Sequence, residues 1–113
     1  MPARVNMRRI LFLCGRNRWR SPTAEQMFAN HPGVECASAG ISSDADIPVT
    51  PELVEWADTI FVMERKQQQK LSRKFRSHLR GKRVVCLDIP DDYEFMDARL
   101  VELLTKKVGP LLP

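Results

Sequence analysis

The stretch that decides the reading of this chain is Arg9-Ile10-Leu11-Phe12-Leu13-Cys14-Gly15-Arg16-Asn17-Arg18-Trp19-Arg20-Ser21-Pro22. Ile10 to Cys14 is an unbroken apolar run of strand length, so it reads as a strand buried on both faces. A polar loop follows. Ser21-Pro22 then suits a helix start, with Ser as N-cap and Pro at the first helical position. In open parallel sheets, ligands bind outside the carboxyl ends of the strands. At that edge stand a cysteine, five residues, an arginine and a serine.

A loop of this length can curl so that successive backbone N–H groups point inward. They form a nest for three phosphate oxygens, and the helix N-terminus below adds partial positive charge. Gly15 and Asn17 help because both tolerate left-handed backbone angles. Arg20 closes the ring by a bidentate guanidinium contact that lysine cannot reproduce. Cys14 lies at the focus of the same dipoles, which favour the thiolate, the reactive form of the sulfur. Ser21 can donate its hydroxyl to it. The plain alternative is a buried strand-end cysteine beside an exposed, arginine-rich turn. Agreement between strand, loop residues, arginine and helix start favours the cradle.

Outward from this loop, the first helix runs to about Asn30, with Ala24, Met27 and Phe28 inward, and His31-Pro32-Gly33 stops it. Val34 to Ala39 is a second strand. The segment around Pro48 and Pro51 opens a helix with Thr50 as N-cap and Leu53, Val54 and Ala57 inside. Thr59 to Met63 is a third strand. From Arg65 to Leu79, Leu71, Phe75 and Leu79 fall on one helical stripe and basic residues occupy the rest. Gly81 ends that helix, Arg83 to Leu87 is a fourth strand, and Asp97 caps a last helix with Leu100, Val101, Leu103 and Leu104 as its core side. Four strands separated by helices imply α/β architecture: a parallel, doubly wound sheet with right-handed crossovers.

At 113 residues, with 43% hydrophobic and 28% charged residues, the chain is expected to form a single domain over 1–113 and to be neither disordered nor a disulfide-stapled scaffold. No apolar stretch approaches the roughly 20 residues of a membrane span. Met1 to Arg9 lead into no secretory signal pattern, so a cytoplasmic location is expected. Cys14, Cys36 and Cys86 are odd in number and widely spaced, and neither His31 nor His78 stands at metal-ligand spacing from them, which argues against a disulfide framework and a metal site. Cys36 and Cys86 sit within apolar strand patterns and read as small buried hydrophobes. Residues 65–83 hold nine of the 18 basic residues and none of the 14 acids, whereas 84–102 hold six acids against Arg99. That segment is either a solvated helix face or a surface for an anionic partner. A positive surface alone specifies neither.

The chain resembles the low-molecular-weight protein tyrosine phosphatases. The likeness runs through Ile10-Leu-Phe-Leu-Cys-Gly-Arg-Asn-Arg-Trp-Arg-Ser-Pro-Thr-Ala-Glu25, then Ser38-Ala39-Gly40, then Ala57-Asp58-Thr59-Ile60 to Met63, and an acidic stretch ending in Tyr93. It implies a three-layer, flavodoxin-like fold with a four-stranded parallel sheet, shortened, and a metal-independent phosphomonoesterase acting through a phosphocysteine. By position it implies the nucleophile at Cys14, the phosphate clamp at Arg20, loop support at Asn17 and Ser21, and a general acid in the Asp-rich loop. Where the family has Asp-Pro-Tyr, this chain reads Ile89-Pro90-Asp91-Asp92-Tyr93. Counting back from the tyrosine favours Asp91, with Asp92 as rival.

Gly15, Arg16, Asn17, Arg18 and Trp19 are then the substrate-binding rim. Trp19 and Tyr93 either flank an aromatic leaving group or pack on the protein as amphipathic residues do. The implied substrate is a phosphorylated protein or a small phosphoester, and no cofactor is expected. The arginine-rich rim and the 65–83 helix keep a nucleotide or RNA phosphoester as an alternative. Thioredoxin-linked arsenate reductases share the cradle. Cys36 and Cys86 would be their relay thiols here, but they lack the close pairing of a mobile redox loop.

Overall fold

The computed structural model describes residues 7–16 and 19–113. Its central element is β1 (Arg8–Cys14), whose last five residues are all buried. Alternate residues of β1 enter different layers: Ile10, Phe12 and Cys14 join one core cluster, and Leu11 and Leu13 join the other. A strand without a polar face must be covered on both sides, and helices cover both. On one side lie α1 (Arg20–Phe28) and α4 (Ala98–Val108), through Ala24, Phe28, Leu100, Leu104 and Val108. On the other lie α2 (Pro51–Trp56) and α3 (Arg65–Lys74), through Val54 and Leu71.

With β2 (Val34–Gly40), β3 (Thr59–Val62) and β4 (Arg83–Cys86), the sheet has the order β2-β1-β3-β4 and every pairing is parallel. This is the expected three-layer, flavodoxin-like arrangement. The chain leaves β1 toward β2 on one side and returns to β3 on the other. The switch point of the sheet therefore lies at the carboxyl end of β1, at Cys14.

Two local expectations differ. Helix α1 begins at Arg20, with Trp19 as N-cap and no side-chain cap bond. Ser21 is not the cap, because its hydroxyl is turned into the protein toward Cys14 and the Ala39 carbonyl. The third helix also ends early: Phe75 N–H closes α3 on the Leu71 carbonyl, and a short 3-10 turn over Arg76–Leu79 continues the chain. Thr50 and Asp97 cap their helices as expected, accepting from the amides of Leu53 and Arg99.

Candidate active site

Cys14 is the last residue of the central strand and is almost fully buried. Its Sγ lies 3.0 Å from Ser21 Oγ, which in turn lies 3.4 Å from the Ala39 carbonyl oxygen. The loop leaving Cys14 is braced from outside by the segment after β2. The Ile41, Ser42 and Asp46 amides donate to the carbonyls of Cys14, Gly15 and Arg16 at 2.9, 2.9 and 3.0 Å. Those carbonyls are thus held on the outer side of the loop. Arg16 adds an exposed ion pair to Asp44 at 3.2 Å. Gly40 makes the brace sterically allowed, since a Cβ there would meet Ala45 Cβ at 2.4 Å, Gly15 O at 2.7 Å and the Arg16 carbonyl carbon at 2.9 Å. Asn17 and Arg18, expected in loop support and the rim, lie outside the described residues.

Arg20 is as buried as Cys14. One guanidinium nitrogen, NH1, donates to Glu64 Oε1 at 2.7 Å and to the Ile89 carbonyl at 2.9 Å, and Nε lies 3.6 Å from Asp91 Oδ1. A buried arginine demands such partners. Glu64 is itself held: Gln67 Nε2 reaches Glu64 Oε1 at 3.3 Å, while Gln67 Oε1 accepts from the Met63 and Glu64 amides at 3.1 and 2.9 Å. Glu64 and Gln67 are the N-cap and third residue of α3, a capping-box pair. Their part in the site was missed in the sequence. Glu-x-x-Gln is a helix-start signal, but only the strand order brings that start beside Arg20.

A cavity of about 400 Å³ opens at this point, lined by Cys14, Gly15, Arg16, Trp19, Arg20, Ser42, Glu64, Lys66, Gln67 and Asp91. Of the expected site residues, Cys14, Gly15, Arg16, Trp19, Arg20 and Asp91 line this cavity. Ser21 stands behind the sulfur. The acid loop is tied at both ends. Ile89 N–H donates to the Met63 carbonyl at 2.8 Å, and the Met96 amide donates to Thr23 Oγ1 at 2.9 Å. Between these ties, Asp91 lines the cavity and faces Arg20, whereas Asp92 does not line it; both are exposed. Tyr93 is also outside the lining. It packs on the first core cluster, with the Arg99 guanidinium 5.3 Å from its ring centre.

The other two thiols are far apart. Cys36 is in β2 and Cys86 ends β4, so they occupy opposite edge strands, and their neighbours belong to opposite core clusters. Three inter-strand steps of about 4.8 Å separate such strands. Burial first, then the Glu25 charge, pushes the Cys36 thiol up to about 11; burial also raises that of Cys86, against an opposing backbone hydrogen bond from Asp88. Among the described residues no cluster of His, Cys, Asp and Glu could hold a metal ion, and no helix is long and apolar enough to cross a membrane.

No protein-family model matches the chain, and no curated protein matches it in sequence. Solved structures do match in fold. Vibrio vulnificus Wzb, solved in complex with benzylphosphonate, is 24% identical with a TM-score of 0.75, covering 93% of this chain and 97% of its own. The Erwinia amylovora tyrosine phosphatase AmsI is 25% identical with a TM-score of 0.71, covering 97% and 95%. The YwlE arginine phosphatase of Geobacillus stearothermophilus is 22% identical with a TM-score of 0.69, covering 92% and 94%. The sheet order, the strand-end cysteine and these matches over nine-tenths of the chain agree, and the fold is that of the low-molecular-weight protein tyrosine phosphatases.

Proposed function

We propose that this chain is a cysteine-dependent phosphatase hydrolysing phosphate monoesters, of a phosphorylated protein or a small phosphoester, through a phosphocysteine. The observation that carries the reading is the buried Cys14 sulfur on the wall of an open cavity, with Ser21 Oγ at 3.0 Å and the buried Arg20 beside it. The Cys14 thiolate attacks phosphorus in line, and the bond from phosphorus to the ester oxygen breaks. Arg20 and the loop amides hold the equatorial oxygens, where charge builds up. Asp91 gives its proton to the departing oxygen. In the second half, Asp91 takes a proton from water as the water attacks phosphorus, the P–S bond breaks, and the thiolate returns to the hydrogen bond from Ser21. Each proton transfer contributes about a hundred- to ten-thousand-fold.

Asp91 is favoured over Asp92 because it alone of the two lines the cavity and faces Arg20. The arsenate-reductase reading is not favoured, because Cys36 and Cys86 stand on opposite edges of the sheet. The test is turnover of p-nitrophenyl phosphate, with trapping of the phosphoryl group on Cys14 in rapidly quenched enzyme. Arg20→Lys is expected to lose most of the turnover, and Asp91→Asn to lose more on a poor leaving group such as phenyl phosphate than on p-nitrophenyl phosphate. Absence of turnover at every pH, or full activity in Arg20→Ala, overturns the reading.

A further inference from the structure

The cavity has two walls of opposite charge, and only one leads anywhere. On the acid-loop side, Asp91, Asp92 and Glu94 are exposed. On the other side α3 begins, and its first turn enters the lining through Lys66 and Gln67. From there α3 runs away from the cavity for about 14 Å. Two shallow grooves follow its outer surface: the first is lined by Arg65, Gln68, Gln69, Ser72 and Arg73, and the second by Arg73, Lys74, Arg76, Ser77 and Arg80. Arg73 belongs to both. The cavity mouth and the two grooves therefore form one basic track.

Three observations set this track apart from an ordinary solvated helix. Residues 65–83 hold half of the basic residues and no acid, leaving nine bases against 14 acids in the rest of the chain. Among the described residues, Arg65, Lys70, Arg73, Lys74, Arg76 and Arg80 make no ion pair, and Lys66 at the cavity pairs with Glu64 at 3.7 Å. The track also starts at the site itself. We infer that it receives the acidic flank of a phosphorylated polypeptide whose phosphate group sits in the cavity. This inference rests on the phosphatase reading of Cys14 and specifies its substrate class.

Extended chain advances about 3.3 Å per residue, so acidic residues some two to six positions to one side of the phosphorylated residue fall along α3 and the turn after it. Acidic residues on the other side meet Asp91, Asp92 and Glu94 and are repelled. A single-stranded RNA is the poorer fit. Helix α3 carries no aromatic ring and its cap Phe75 is buried in the core, so beyond Trp19 at the cavity and His78, which packs edge-on against Phe75, the track offers no run of stacking platforms.

The experiment compares phosphotyrosyl peptides carrying four Asp or Glu residues on one side with their Asn and Gln counterparts, in the wild type and in Arg73→Glu/Arg76→Glu. Neither arginine lines the cavity, so p-nitrophenyl phosphate turnover is expected to be the same in both proteins. The wild type is expected to prefer the acidic peptide by about tenfold in kcat/KM at low salt, equivalent to about 1.4 kcal/mol. The preference is expected to shrink with salt and to vanish in the double variant. Binding of the unphosphorylated acidic peptide to Cys14→Ser, followed by fluorescence anisotropy, reads the track without catalysis and is expected to be lost on charge reversal. Equal kcat/KM for the two peptides, a preference that survives charge reversal, or salt-sensitive RNA binding without acidic-peptide binding overturns the inference. Failure to turn over p-nitrophenyl phosphate, with peptide binding intact, sinks the phosphatase reading instead.

Discussion

Cys14 and Cys36 lie on neighbouring parallel strands, face the same layer and pack in or against the same core cluster. Cys36 sits inside β2, opposite Ile10, and among the described residues its thiol donates to the Phe28 carbonyl at 3.5 Å. Its proton is held tightly because burial, and then the neighbouring Glu25 charge, disfavour the anion. Cys14 sits four register positions further on, where the strand ends, and there its sulfur meets a serine hydroxyl and an open cavity. Packing against the same core is common to both, Cys14 almost fully buried and Cys36 half-buried. What differs is the end of the strand, where backbone amides are no longer committed to the sheet and can be aimed at an anion.

Exchanging sulfur for oxygen at each position tests the contrast most severely. Cys14→Ser is expected to lower p-nitrophenyl phosphate turnover by at least about ten-thousandfold, because the weaker nucleophile removes the covalent step. Cys36→Ser is expected to stay within about twofold, since its side chain is outside the cavity. Comparable losses in the two variants would erase the distinction.

The brace from the segment after β2 can be disturbed without touching the sulfur. In Gly40→Ala the new methyl group would stand 2.4 Å from Ala45 Cβ and 2.7 Å from Gly15 O, so the loop must move. Displacing catalytic amides by about 1 Å costs on the order of a hundredfold in rate, and overpacking destabilises by about 1–3 kcal/mol. Gly109→Ala is the control: nothing lies within 4 Å of its Cβ and its backbone is helical. It is expected to leave both turnover and the urea midpoint nearly unchanged.

Glu64 offers a finer cut. Glu64→Gln retains a hydrogen-bond acceptor for Arg20 NH1 but removes its charge, and a charge-assisted bond is worth about 1.5–3 kcal/mol. Turnover is expected to fall about tenfold in Glu64→Gln and further in Glu64→Ala, with the arginine less well aimed in each. If both variants match the wild type, Arg20 is oriented by the Ile89 carbonyl and Asp91 without Glu64.

Much of this arrangement is legible in the sequence because it is local. The apolar run ending in Cys14, the Thr50 and Asp97 caps and the inward stripe of Leu71 and Phe75 depend on residues a few positions apart. Glu64 acts across 44 positions on Arg20, and Gly40 acts on Gly15 by approach of two loops. Such contacts follow from strand order and register, which no local pattern states. Ser21 was misread for the same reason. A Ser-Pro pair at a helix start resembles a cap, and only the position of Cys14 and Ala39 turns the hydroxyl inward.

The smallest effect concerns the quiet sulfur. With its thiol near 11 in the folded protein against an ordinary value of 9.0, Cys36 binds its proton more tightly folded than unfolded. Its contribution to stability is complete below pH 9 and is lost as the pH rises toward 11. Because the residue is half-buried, solvent screening reduces the expected loss to about 1 kcal/mol. Urea midpoints measured from pH 8 to 11 are expected to fall more steeply in the wild type than in Cys36→Ser, whose hydroxyl does not ionise in that range. Parallel curves would mean that the β2 sulfur finds a stabilising donor when ionised, and the contrast with Cys14 would then rest on access to the cavity alone.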